Sequence, residues 1–548
     1  MLGSKGSRLT LFCVFSVLAE TLVLMRLNAG SALALAPQVA APAPWGVFHD
    51  ERWLLAYAGS WPVLVLGIVA MVAGRGLLTG VMVKAAWPQS AAPLSWRKAL
   101  LRGCESTAVA AVLLSPCASL LVAFALAPIS DLWLAAIPSA IGIAIFVHHS
   151  PVDCWWLHHP RLRSVGWVLL SYLELTLAGA LLVSAPRGWT PFIAIAAGLA
   201  DAVAWRGLVR ALARPAKLRW APVGPLGLGG VVLITVLAVT AAATPSSSAT
   251  SPPRPPSKTA AAAPYMPQEK TPTHDVLLVS GYGVHWDGNA PNLGPGFHAH
   301  EFSYRGITKS GKPLAYNSSA TQQPLPVLLS KFRIQVANLA RASGHNIDIV
   351  GESEGSLLAT IYLLTTPNPP VDNVVLLSPL VRPARASYPG PGQDGAGLGA
   401  AWELRGIANA TNALTPLHVS PDSPFIRSLG EHADALNTIF GCPVSGVRQL
   451  AILPLADAVG VPPGALASVP HEAIPALHGT LLVNPDVRYD IAQYLKGAAA
   501  PSTRNNGLET MAAAASAAWQ APAQHLHVEP PAAVACAQAT DALRSWLG

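Results

Sequence analysis

Charge is what this chain has least of: Asp, Glu, Lys and Arg make up 11% of its 548 residues, against 52% hydrophobic side chains. Cysteine is sparse too, and none of the six is spaced Cys-x-x-Cys, which removes zinc ribbons and thioredoxin-type redox sites. Beyond residue 243 no apolar run approaches the ~20 residues that a helix needs to cross a bilayer. The formal net charge of +7 does not form a basic stripe interleaved with aromatics, so no nucleic-acid partner is expected. Nor is there a Gly/Pro-broken inverted repeat of the kind that builds transporters.

What the chain does have is split. The long apolar runs fall before residue 244, at roughly 10–33, 53–74, 106–130, 132–147, 165–185, 190–205 and 223–243. Each is near bilayer length, so residues 1–243 are expected to form an all-α polytopic membrane domain of about 7 transmembrane helices. The fourth run is short, and the sixth carries Asp201 and Arg206. The first holds Glu20 and Arg26; with Lys5 and Arg8 ahead of it and Ala34-Leu35-Ala36 behind, it also fits a signal peptide.

Basic residues collect at the N-terminus (Lys5, Arg8), after the second run (Arg75, Lys84, Arg97, Lys98, Arg102), after the fourth (Arg161, Arg163) and after the sixth (Arg206, Arg210, Arg214, Lys217, Arg219). The alternate loops hold only Arg52 and Arg187. The positive-inside bias therefore puts the N-terminus in the cytoplasm and everything after residue 243 outside, as for a multi-pass protein of the plasma (inner) membrane. Glu20, Glu174 and Asp201 are costly in lipid; they are either functional or satisfied in helix contacts such as Asp201 with Arg206.

Residues 244–272 form a spacer rich in Pro, Ser and Ala, without periodicity, which reads as a semi-extended linker. Residues 273–548 are long enough for one domain with its own core. There Ile347 to Glu352 reads as a β-branched strand that runs into Gly351-Glu352-Ser353-Glu354-Gly355 and then an apolar helical start. In a chain with 45 glycines the bare Gly-x-Ser-x-Gly pattern arises by chance; the strand, turn and helix around it give it meaning. A serine held at a strand tip needs a sharp turn, and Gly351 and Gly355 leave room for the neighbouring strand and helix. Upstream, His274 to Ser280 reads as a buried strand entering Gly281-Tyr282-Gly283; downstream, a helix at 355–365 and a strand from Val371 to Ser378 complete a βαβ unit.

A serine nucleophile needs a base and a group to orient that base. Gln449 to Asp457 reads as a strand ending in an acid, and His478 sits in a loop before a helix from Asp486 to Leu495. The order Ser353, Asp457, His478 is that of the α/β-hydrolase fold and of neither main serine-protease fold. Residues 273–548 thus resemble an α/β-hydrolase of the esterase and lipase type, with a mostly parallel sheet. The resemblance implies Ser353 as nucleophile, His478 as general base and then acid, and Asp457 as its orienting partner. It also implies an oxyanion hole from the backbone N–H of Glu354 and of Tyr282, where Ser280-Gly281-Tyr282-Gly283 stands in place of the His-Gly of many relatives. The run Glu301 to Gly306 resembles a lipase strand ahead of a helix at about 325–343.

Alternatives exist at each position. Asp457 also fits a turn cap, with Asp372 or Asp486 as substitute acids, and His471, His525 and His527 rival His478. His298 and His300, in a Gly/Pro-bounded loop, read as a solvated pair rather than a metal site, so no metal and no cofactor are expected. Cys442 and Cys536 are expected either as a disulfide between a late loop and the final helix or as two buried thiols. Residues near 380–445 form a Gly-, Pro- and Ala-rich insertion that reads as a lid, and Glu352 and Glu354 would make the mouth acidic unless one is paired. The expected function is a membrane-anchored serine hydrolase cleaving lipidic or cell-envelope esters on the extracytoplasmic side. The alternatives are an acyltransferase on the same nucleophile and a domain that only binds ligand.

Overall fold

A computed structural model describes residues 4–27, 29–42, 44–124, 162–213, 274–289, 293–383, 387–414, 420–454, 469–474, 476, 478–500, 515–522, 524 and 532–547. The runs at 132–147 and 223–243, the linker at 244–272 and Asp457 lie outside them.

The N-terminal half is helical: α1 (Ser4–Arg26), α2 (Trp45–Tyr57), α3 (Trp61–Ala86), α4 (Trp96–Phe124), α5 (Leu162–Ser184) and α6 (Thr190–Leu212). All but α2 contain an apolar stretch long enough to cross a membrane, so five candidate spans are described. Their outward faces carry exposed Leu11, Phe15, Leu66, Val69, Leu173 and Phe192, the surface a lipid solvent would cover.

Two boundaries differ from the sequence reading. The run at 53–74 starts inside α2; the chain breaks at Ala58 to Ser60, and α3 begins with Pro62 in its first turn. Arg75 is not a loop charge. It lies within α3, where its Nε and Nη2 donate to the Asp50 carboxylate of α2 at 2.7 and 2.5 Å. Of the intramembrane acids, Glu20 meets His49 Nε2 at 2.9 Å. Asp201 does not pair with Arg206: both its oxygens are buried without a hydrogen-bond partner among the described residues. Arg206 instead donates to Gly6 O and to Thr10 Oγ1, which brings the end of α6 to the start of α1.

The C-terminal half is built on β1 (His274–Val279), β2 (Phe297–Glu301), α7 (Leu325–Ser343), β3 (Ile347–Glu352), α8 (Glu354–Thr365), β4 (Val371–Leu377), α9 (Leu398–Leu414), α10 (Pro424–Glu431), α11 (Ala433–Leu436), β5 (Arg448–Pro454), β6 (His471–Ile474), α12 (Pro485–Leu495) and α13 (Ala532–Leu547). The six strands form one parallel sheet in the order β2-β1-β3-β4-β5-β6. Because both faces are covered, its central strands read as nearly unbroken apolar runs. Leu277, Val279, Ile349, Val374 and Leu376 point to one core with α7 and α8; Val276, Leu278, Val350, Val375 and Leu377 point to another with Val487 and Ile491 of α12.

The lipase-like strand expected at 301–306 is displaced. β2 ends at Glu301, and residues 302–306 leave the sheet as a loop whose Phe302 and Tyr304 are fully buried. β6, which contains His471, adds an edge strand the sequence reading did not contain. Cys442 and Cys536 are joined in a disulfide with Cα atoms 5.4 Å apart, tying the segment before β5 to α13.

The two halves dock on each other. Ser115 and Ser119 of α4 both donate to the Glu403 carboxylate of α9. Trp519 inserts between Trp45 and Tyr172, with ring centroids 5.0 and 4.6 Å away. Buried Arg52 of α2 donates to Ala518 O and Gln520 O at 3.2 and 2.8 Å.

Candidate active site

Chain order along the sheet reverses between β1 and β3: after β2 the chain crosses back over β1 and then adds strands in sequence. In open parallel sheets ligands bind at such a switch point, beyond the carboxyl ends of the strands. The loop after β1 (residues 280–283) and the turn after β3 (Ser353) face each other there.

Ser353 sits between β3 and α8 with φ 55° and ψ −113°, a conformation L residues avoid. Its N–H donates to Leu377 O of β4 at 2.9 Å and its C=O accepts from Leu357 N–H, so the turn is pinned from both sides. The flanking glycines are sterically required. A Cβ on Gly351 would lie 2.6 Å from Gly355 O, and one on Gly355 only 2.1 Å from Val279 O. Gly281 is equally close to the serine, since a Cβ there would come within 3.1 Å of Ser353 Cβ.

His478 Nε2 lies 2.9 Å from Ser353 Oγ, across 125 residues of chain. For the hydroxyl to donate along this bond the imidazole carries its own proton on Nδ1. The loop that bears His478 precedes α12, whose start is defined by Pro485 and by the Asn484 side chain accepting from Asp486 N–H at 2.9 Å. Asp486 is therefore part of a helix start. Asp372 is at the amino end of β4, where it accepts from Asn346, at the other edge of the sheet from Ser353. His471 opens β6 with its Nδ1 at 2.9 Å from Val469 O. His525 and His527, like Asp457, lie outside the described residues.

Two backbone N–H groups belong to the turn and the loop that meet at Ser353. Glu354 opens α8, so its N–H is among the first-turn donors with no intrahelical acceptor. In the 280–283 loop, Gly283 N–H is taken by Thr321 Oγ1 at 2.9 Å, whereas Tyr282 N–H donates to no described residue. The Tyr282 ring is held from behind: its hydroxyl donates to Ser423 Oγ at 3.0 Å, and Phe425 of α10 packs 5.7 Å from it.

The acidic mouth expected from Glu352 and Glu354 is absent, because both side chains are buried. Burial pushes the Glu354 carboxyl well above the usual range.

Sequence reasoning missed the support beneath the loop. Ser280 Oγ donates to Glu301 at 2.6 Å, Tyr316 donates to the same carboxyl at 3.1 Å, and Tyr304 donates to Ser280 O at 2.5 Å. Burial pushes Glu301 up to about 7 against the pull of the Ser280 and Tyr316 hydrogen bonds, with the charge of Glu352 adding to the rise. Nothing in the local pattern marks these residues, because they meet only when β2 lies beside β1.

Compared with known protein families, curated proteins and solved structures, the chain matches none.

Proposed function

We propose that the chain is a membrane-anchored serine hydrolase of the α/β-hydrolase type that cleaves carboxylic esters through an acyl-enzyme. The observation that carries this reading is the 2.9 Å contact of His478 Nε2 with the hydroxyl of a serine held on a strained strand-to-helix turn. Ser353 Oγ attacks the ester carbonyl as its proton passes to His478 Nε2. The carbonyl oxygen takes up negative charge against Tyr282 N–H and Glu354 N–H. Collapse expels the alcohol, protonated by His478, and leaves the acyl group on Ser353; water activated by the same imidazole then releases the acid. Asp457, which follows β5 in sequence, is the partner assigned to His478 Nδ1 in this scheme.

A lipidic or cell-envelope substrate is favoured by the docking. α9 and residues 515–522 rest on helices of membrane-crossing length, so the sheet's catalytic edge belongs to a body held against the bilayer. The extracytoplasmic side of the plasma membrane is favoured by polarity. The C-terminal half meets α4 near its carboxyl end at Ser115 and Ser119, whereas Arg97, Lys98 and Arg102 lie at the opposite end of that helix.

A fluorophosphonate probe should label the full-length protein in detergent at one serine, with labelling lost in Ser353→Ala. Ester hydrolysis should fall by roughly 10³-fold or more in His478→Ala. Labelling that persists in Ser353→Ala sinks the nucleophile. Alkaline phosphatase fused to the C-terminus should be active; an inactive fusion on a folded protein removes the extracytoplasmic assignment.

A further inference from the structure

His298 and His300, read from sequence as a solvated pair, are neither solvated alone nor a mere pair. They alternate along β2, so both side chains leave the same face of that edge strand. In the parallel register Asp275 of β1 stands opposite His298. Its Oδ1 lies 3.1 Å from His298 Nδ1 and 3.0 Å from His300 Nε2. From the turn between α7 and β3, His345 brings Nε2 to 3.3 Å from the other carboxylate oxygen. Two imidazoles from β2 and one from the α7–β3 turn thus meet one carboxylate, and ligand atoms of Asp275, His298 and His300 lie within 4.8 Å of one another.

His345 Nδ1 is 2.6 Å from Asn346 O, so that nitrogen holds a proton and donates it to the carbonyl, and Nε2 is left facing Asp275. Ligating carboxylates are commonly braced by such neighbours, and His345 stands in that outer position beside Asp275.

We propose that Asp275, His298 and His300 form a transition-metal site braced by His345, with zinc(II) the fitting ion. Imidazole nitrogens with a single carboxylate suit zinc, nickel or copper and not the all-oxygen shells of calcium or magnesium. Bonds of about 2.0–2.2 Å to ligands in a tetrahedron separate the ligand atoms by roughly 3.3 Å, so the contacts of Asp275 with His298 and His300, at 3.1 and 3.0 Å, need to open by only a few tenths of an ångström. Asp275 is largely buried while His298 is mostly exposed, which leaves an entry path on the solvent side. The site lies at the amino edge of the sheet. Ser280, just past the end of β1, is five residues further along the chain, about 16 Å at the rise of a strand, so the ion would not touch the ester chemistry. It would clamp the edge strand β2 to β1, and β2 carries Glu301, whose carboxyl accepts from Ser280.

The test uses the full-length protein in detergent, without a polyhistidine tag and stripped with a chelator. Titration calorimetry with zinc chloride, with metal counted by elemental analysis, should give one zinc per chain and a rise in melting temperature. His298→Ala/His300→Ala should weaken binding by about 100-fold or more, and His345→Ala by about 10-fold. Wild type without a saturable site, or a double variant that binds zinc as tightly as wild type, overturns the proposal; a melting curve that moves with pH and not with zinc assigns the cluster to ion pairing. If the double variant does not fold, diethylpyrocarbonate modification of wild type reads the same site. Zinc should protect His298 and His300, and unchanged modification overturns the assignment.

Discussion

Ser353 concentrates the physical demands of the site on one residue. Its left-handed φ costs of order 1–3 kcal/mol and persists because Leu377 O and Leu357 N–H fix the turn from both sides. Glu301 imposes a second cost. With a carboxyl pushed up to about 7 against an ordinary value of 4.5, it keeps its proton in the folded protein while the unfolded chain ionises. Its folded pKa is raised, so the stability linked to the protonated form is fully present below about pH 4.5. That stability is lost as pH rises through about 7, to a total of about 3 kcal/mol. Glu301→Gln, which keeps the acceptor for Ser280 and Tyr316, should therefore raise the melting temperature at pH 8 and leave it nearly unchanged at pH 4.5. Equal shifts at the two pH values would show that Glu301 is not held neutral.

At the scale of elements, the site depends on parts distant in sequence being tied down. α13 packs on the core through Ala539 and Leu543, and the Cys442–Cys536 bridge holds it across 94 residues. Closing a loop of that length restricts the unfolded chain by about 4.7 kcal/mol in the chain-entropy view. Cys442→Ser should lower the melting temperature in non-reducing buffer, and reductant should bring wild type down to the variant without moving the variant itself. If wild type does not respond to reductant, the bridge is absent or contributes nothing. The insertion near 380–445 belongs to this scale as well. Its α9 contacts α4, and its α10 backs Tyr282, so one inserted segment touches both a helix of membrane-crossing length and the 280–283 loop.

Across the whole molecule, the C-terminal half is docked rather than hung from a tether. Trp519, 1% exposed, fills a slot lined by Trp45, Phe48 and Tyr172, and its Nε1 donates to Thr176 Oγ1 at 2.8 Å. Emptying such a slot costs about 3–5 kcal/mol. In Trp519→Ala, hydrogen exchange should accelerate at residues 515–522 and along α2, with Ser353 still labelled by the fluorophosphonate probe. Unchanged protection would mean that the aromatic slot does not hold the halves together.

Much of this could be read from the chain alone where the signal is local. Helices of bilayer length follow from unbroken apolar runs; α7, α8, α12, β1, β3 and β4 follow from periodicity and from glycine, proline and cap residues at their ends. The turn at Ser353 follows too, because Gly351 and Gly355 are steric necessities written within five residues. What depends on partners far along the chain was decided only by the tertiary structure. Buried, inward-facing Glu354, Glu301 beneath Ser280, Arg75 inside α3 against Asp50, and Trp519 between α2 and α5 all follow from packing between segments that share no local pattern. His298 shows the division most plainly: its sequence neighbours suggest solvent, while register with β1 sets Asp275 against it. Short-range sterics and hydrophobicity are carried by neighbouring residues; charge state, pairing and docking depend on what the fold brings near.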